Sequence, residues 1–290
     1  MAPYQIITDA TADLSAGIIK EVPNIKIIPM EVEIGGKNYS YGPKGDISIE
    51  EFYRLQRKGN YATTSQINPT TYFEFFESHL KNGTDILYLC FSSGLSGMLQ
   101  SAGLCVEMLR YEYPERKIIC MDTLCASIGE GLLVFEAMRK QEEGLSLEEL
   151  TKWIMDNCLK SCHWFTVDTF EHLKYGGRVS SAAAAIGSAL SIKPLLSVDE
   201  KGLLQVKEKP RGRRKAIQIM VGKMEEGWQP EISKTVIVGH GNNPEAAELL
   251  RQAVATRFEE AEIYIADIGP VIGAHTGPDM LALVYWGNNR

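Results

Sequence analysis

Positive charge is scarce in this 290-residue chain: 30 Lys and Arg stand against 37 Asp and Glu, a formal net charge of −7. A phosphate backbone demands a concentrated basic surface, so nucleic acid is not an expected partner. One basic cluster breaks the pattern, Lys207-Glu-Lys-Pro-Arg-Gly-Arg-Arg-Lys215, and by itself it reads as a solvated loop and helix start as readily as a functional patch. Long apolar runs are also missing. The uncharged stretch over residues 179–192 is rich in Ala, Ser and Gly, and it falls short of the roughly 20 apolar residues of a membrane span. No integral membrane insertion is expected. The N-terminus shows neither a basic n-region nor an apolar stretch of signal-peptide length before Asp9, so the expected location is cytoplasmic. Cysteine is sparse, six residues in all, and in a reducing compartment these are expected as thiols without a structural disulfide.

Dedicated catalytic signatures are absent too. There is no P-loop and no H-E-x-x-H, and Gly94-Leu-Ser-Gly97 lacks the second spacer of a nucleophile elbow. Cys158, Cys162 and His163 supply three zinc-type ligands without a second matching pair, and no metal is expected. No solenoid period or low-complexity segment is present.

What is present is a chain long enough for two packed lobes, 44% hydrophobic, in which short β-branched or apolar runs alternate with amphipathic helical stretches. Strands are expected over residues 4–8, 26–30, 85–91 and 117–122, and again over 163–168, 235–239 and 262–267. Ser48 with Glu51 and Ser146 with Glu149 have the spacing of capping boxes, and Asn68-Pro69 offers another helix start. Two apolar runs flank Asp199-Glu-Lys-Gly202 as in a hairpin, which makes the second half mixed. The expected fold class is α/β in two lobes: a parallel-sheet lobe over 1–162 and a mixed lobe over 163–290.

Loops rich in Gly and hydroxyl residues fall at the expected strand ends, where open α/β sheets place ligands. They are Thr8-Asp-Ala-Thr-Ala-Asp13, Thr63-Thr-Ser-Gln66, Ser92-Ser-Gly-Leu-Ser-Gly97 and Gly269-Pro-Val-Ile-Gly-Ala-His-Thr-Gly-Pro278. The serines of the third either cap the following helix or face an anion above its N-terminus. His275 of the fourth is either a buried turn histidine or a donor to a carboxylate or phosphate. His79, His163, His172 and His240 read as structural or surface residues. Asp168 to Arg178 ends in a glycine pair that presents Arg178, followed by an expected small-residue helix over 180–190 that either packs closely or leaves a slot for a slender apolar ligand. Cys125 is a nucleophile or, more commonly for its type, an inert buried thiol. From the residues alone, a hydrolase or acyl-transfer enzyme using Ser96 or Cys125 remains the alternative to a carrier.

Taken with Lys193-Pro194, these segments resemble the DegV family of bacterial fatty-acid-binding proteins over nearly the whole chain. The resemblance implies a two-lobed α/β carrier, not itself an enzyme, that needs no cofactor and holds one long-chain fatty acid between its lobes. It implies that Thr64 and Ser96 hold the carboxylate, with Thr63, Ser65, Ser93 and His275 completing the polar network and the tail entering the C-terminal lobe. It also implies a partner, an ATP-dependent fatty acid kinase that makes the acyl phosphate used in phospholipid synthesis, with Arg178 and Arg211 facing the kinase or the acyl phosphate. Ile67-Asn68 and Met98 depart from the usual family residues at their positions.

Overall fold

The computed structural model describes residues 3–179 and 192–290. The helix expected over 180–190 lies outside the described residues. Four parallel strands form the first sheet, in the order Lys26–Ile28, Tyr4–Asp9, Asp85–Cys90, Ile118–Asp122. Asp85–Cys90 is buried at every position, as a parallel strand covered on both faces requires.

A second sheet has six strands, in the order Leu204–Glu208, Leu195–Val198, Ser161–Thr166, Leu281–Trp286, Thr235–His240, Glu262–Asp267. Only the last pair runs parallel. Leu281–Trp286 was not expected as a strand; it is a wholly buried strand, antiparallel to both neighbours. The hairpin at 195–206 forms as expected, its turn tied by the Asp199 carboxylate, which accepts from the N–H groups of Lys201 and Leu203.

The third sheet is small and antiparallel, in the order Lys37–Tyr41, Met30–Ile34, Ala62–Thr64. It corrects the single strand expected over 26–30. Pro29 cannot donate to a ladder, so the chain leaves the parallel sheet at Ile28 and enters the small one at Met30 with alternating burial.

Helix starts follow the expected capping. Ser146 and Glu149 form a reciprocal box, whereas Ser48 caps Glu51 one way because the Glu51 carboxylate is engaged by Arg54. The helix Ile128–Glu142 lies between the two large sheets and is buried continuously over residues 128–138. It packs against Ser161–Thr166, Thr235–His240 and Leu281–Trp286 on one side and the turn Ala10–Ala12 on the other. One apolar core therefore runs from Ile6 and Leu87 of the parallel sheet to Ile237 and Val284 of the mixed sheet. No helix among the described residues is long and apolar enough to cross a membrane.

Candidate functional site

A cavity of about 330 Å³ opens between the two large sheets, within the range of small-molecule sites. Its body is apolar, walled by Met30, Phe91, Phe165, Leu204, Ile272 and Met280. Its polar groups include Thr64, Ser65, Gln66, Ser96, Arg178 and His275. These residues reach one cavity from four segments: the edge strand Ala62–Thr64, the loop 92–97, the glycine pair before Arg178, and the short helix Pro270–Thr276.

Thr64 Oγ1 and His275 Nε2 are 2.9 Å apart. The other ring nitrogen, Nδ1, is buried without a partner among the described residues and faces Gly176, where an added Cβ would stand 2.1 Å from it. An N–H aimed there would be a buried orphan donor, which costs about 1–3 kcal/mol. The proton therefore belongs on Nε2, which donates to Thr64 and leaves the threonine's own proton free to point into the cavity. Burial, with the nearby Arg178 charge, holds His275 down at about 4, so the ring is neutral at physiological pH.

The loop 92–97 leads into the helix Met98–Glu112, whose N-cap Gly97 makes no side-chain capping bond. None of the three loop serines caps this helix. Ser92 Oγ instead donates to Gly202 O of the 195–206 hairpin at 2.8 Å and accepts from the Gly94 N–H at 3.2 Å. Gly94 meets the same turn so closely that a Cβ would lie 2.7 Å from Lys201 O. Two lobes thus build the serine loop, and the free first-turn N–H groups beside Ser96 favour an anion. Arg178 spans the same region, donating to Leu95 O at 3.2 Å and Gly176 O at 2.5 Å.

The chain that builds this cavity, with its apolar body and its donors at Thr64, Ser96 and His275, has relatives among known proteins. A family model described as "Uncharacterised protein, DegV family" matches residues 3–288. The chain belongs to the DegV family. A DegV domain-containing protein of Clostridium perfringens is 37% identical over 290 residues, covering 100% of this chain and 99% of that one. Among solved structures, a DegV family protein from Thermus thermophilus described as fatty acid binding superposes with a TM-score of 0.86 at 28% identity, covering 99% of this chain and 100% of that one. DegV of Bacillus subtilis, described as a fatty acid binding protein, superposes with a TM-score of 0.83 at 27% identity over 98% and 99%. The α/β fold with one parallel and one mixed sheet is the DegV fold.

Not every residue named from the DegV motifs reaches the cavity. Thr63 lies next to Thr64 on a strand, so its side chain points the other way, towards Glu33 at 3.4 Å on the exposed face. Ser93 is exposed, and its N–H donates to Asp122. Arg211 is exposed beside its backbone bridge to Ile192 and does not line the cavity. Its neighbour Arg213 and Lys193 both pair with Asp168, at 2.7 and 2.8 Å.

Neither proposed nucleophile has the environment of one. Burial pushes the Cys125 thiol up to about 12, and Ser96 Oγ has no hydrogen-bonded base among the described residues. Cys158 and Cys162 point to separate carbonyls, Met155 O and Asn288 O, and no group of metal-ligating side chains converges among the described residues.

Among the cavity residues that the sequence did not single out are His163 and Thr11. His163 accepts from the Ala126 N–H and donates through Nδ1 to Ser161 O, fixing the wall at Ala126. Thr11 reaches the wall from the first strand's end. Thr11 had a signal in its hydroxyl-rich motif, while the position of His163 depends on a helix start far away in sequence.

Proposed function

We propose that this DegV chain is a cytoplasmic carrier that binds one long-chain fatty acid and presents its carboxylate to a fatty acid kinase. The observation that carries the reading is the asymmetry of the cavity: an apolar body that ends at the Thr64–His275 pair and Ser96. Each methylene buried along the body contributes about 0.8 kcal/mol, which favours a long alkyl chain over a small polar ligand. A bare buried carboxylate would be very costly. The Thr64 hydroxyl, Ser96 and the free N–H groups after Gly97 offset that cost, with Ser65 beside them. The fatty-acid-binding descriptions of the Thermus thermophilus and Bacillus subtilis relatives support the ligand class.

The kinase step rests on the family resemblance. In it, a carboxylate oxygen attacks the γ-phosphorus of kinase-bound ATP, ADP leaves, and the acyl phosphate results. Arg178, exposed at the polar end, is placed to meet the kinase or the new phosphate; Arg211 stands farther out, on the basic segment before the helix Arg213–Gly227.

Organic extraction of the purified chain followed by mass spectrometry tests the ligand. A stoichiometric long-chain acid is expected. Absence of any acid, together with no binding of added oleate, would overturn the carrier reading. Addition of a fatty acid kinase and ATP to the loaded chain then tests the finer step, with acyl phosphate as the expected product.

A further inference from the structure

The motif Thr8-Asp-Ala-Thr-Ala-Asp13 supplies Thr11 to the cavity wall, and behind it two carboxyls, Asp9 and Glu130, are fully buried together. Their hydrogen-bond partners are hydroxyls and backbone groups, and among the described residues neither forms a salt bridge. Asp9 Oδ1 takes the Thr11 N–H at 3.0 Å and the Thr11 hydroxyl at 2.5 Å, and Oδ2 takes the Tyr88 hydroxyl at 2.7 Å. Tyr88 is in turn bonded to Tyr72 at 2.9 Å. Glu130 Oε2 lies 2.9 Å from the same Thr11 oxygen, and Oε1 lies 3.0 Å from Thr8 Oγ1, which also has Leu89 O within 3.2 Å.

A threonine hydroxyl has one proton and two lone pairs. At 2.5 Å the Thr11 proton is committed to Asp9, so the 2.9 Å contact to Glu130 closes only if Glu130 supplies the proton. With both acids ionised, that contact would set one oxygen lone pair against another in a buried site. Asp9 has at least three donors to satisfy its charge; Glu130 has at most one, Thr8, which Leu89 O also claims.

We infer that Glu130 is held as a neutral carboxylic acid and acts as a positioning residue, its proton closing a directed chain from Glu130 through Thr11 to Asp9. The chain fixes the Thr11 side chain in the cavity wall and leaves one buried negative charge behind that wall instead of two. Burial and the Asp9 charge both raise Glu130. The acids around it, Asp13, Cys90 and Cys125, would not stabilise a second negative charge, and burial keeps the ring of His163, packed against Gly129, neutral.

Infrared spectroscopy of the full chain at pH 7, with carbon-13 placed in glutamate and then in aspartate, reads the proton directly. The carbonyl band of a protonated carboxylic acid should shift with glutamate labelling and vanish in Glu130→Gln. A band that follows aspartate labelling and vanishes in Asp9→Asn, or no band that follows glutamate labelling, overturns the inference; Asp13, which burial raises to about 7, gives an aspartate band that Asp9→Asn leaves in place. Variants give a second reading. Glu130→Gln keeps a donor towards Thr11 and should melt like the wild type at pH 5, while Glu130→Ala and Asp9→Asn melt lower. The native state keeps a proton that the unfolded chain releases above its ordinary glutamate range, so the contribution of Glu130 to stability falls as pH rises. Glu130→Gln should flatten that fall; tolerance of Asp9→Asn with failure of Glu130→Gln would reverse the assignment. Should neither variant fold, the labelled wild-type spectrum still decides.

Discussion

At the residue scale, the direction of one hydrogen bond organises the polar end of the cavity. With His275 donating through Nε2, a glutamine at that position reproduces the donor and an asparagine does not reach it. His275→Gln should therefore hold oleate within a few-fold of wild type, and His275→Asn should lose about 10- to 100-fold, the equivalent of an orphaned buried group. Titration calorimetry checks both. Thr64→Ala with Ser96→Ala should weaken oleate binding by at least as much, and unchanged affinity would remove the carboxylate from this end. The pH profile of the ligand-free protein has a definite sign: His275 takes up its proton at about 4 in the fold and near 6.5 when unfolded. The contribution of His275 to stability is thus complete above about 6.5 and is lost as pH falls towards 4, opposite in sign to that of Glu130, and His275→Gln should remove this contribution from the thermal melts.

That Thr64, Ser96 and His275 would line one cavity was legible because hydroxyls and glycines cluster in short motifs. The placement of Thr63 and Ser93 was not, because a motif does not say which way a strand residue faces or which serine of a loop meets solvent.

At the element scale, the serine loop depends on a hairpin contributed by the opposite lobe. Gly94→Ala would drive a methyl into Lys201 O and push loop and hairpin apart. We expect a lower melting temperature together with weaker oleate binding, whereas an exposed loop change such as Ser93→Ala should leave both near wild type. A Gly94→Ala variant with undiminished affinity would show that the hairpin does not shape the site.

The parallel strands and the hairpin were readable from apolar runs and turn chemistry. Leu281–Trp286 was not, since six consecutive apolar residues carry no period to separate a buried strand from a buried helix segment. The small sheet did carry a signal, Gly35-Gly36 between alternating runs, both glycines with positive φ as a two-residue hairpin turn requires.

At the scale of the whole molecule, the two lobes share a core. Because the helix Ile128–Glu142 packs on both sides and the apolar cluster is continuous, we expect one cooperative unfolding transition by calorimetry. We propose the lobe boundary near residue 162 as an architectural division, and a fragment ending there should not fold alone; two separate transitions would mean the lobes are independent. Composition bounded this level well, since an acidic chain of this length without long apolar runs fits two α/β lobes. The shared helix was hidden, because its burial on all sides depends on residues from both halves of the chain.

The neutral ring of His275 also makes occupancy visible from outside. A bound carboxylate meets an imidazole that carries no charge and an arginine that was charged already, so loading adds one full negative unit to the chain's net −7. Empty and loaded molecules should separate as neighbouring bands on an isoelectric focusing gel, and the ratio of the bands would report the loaded fraction without any label.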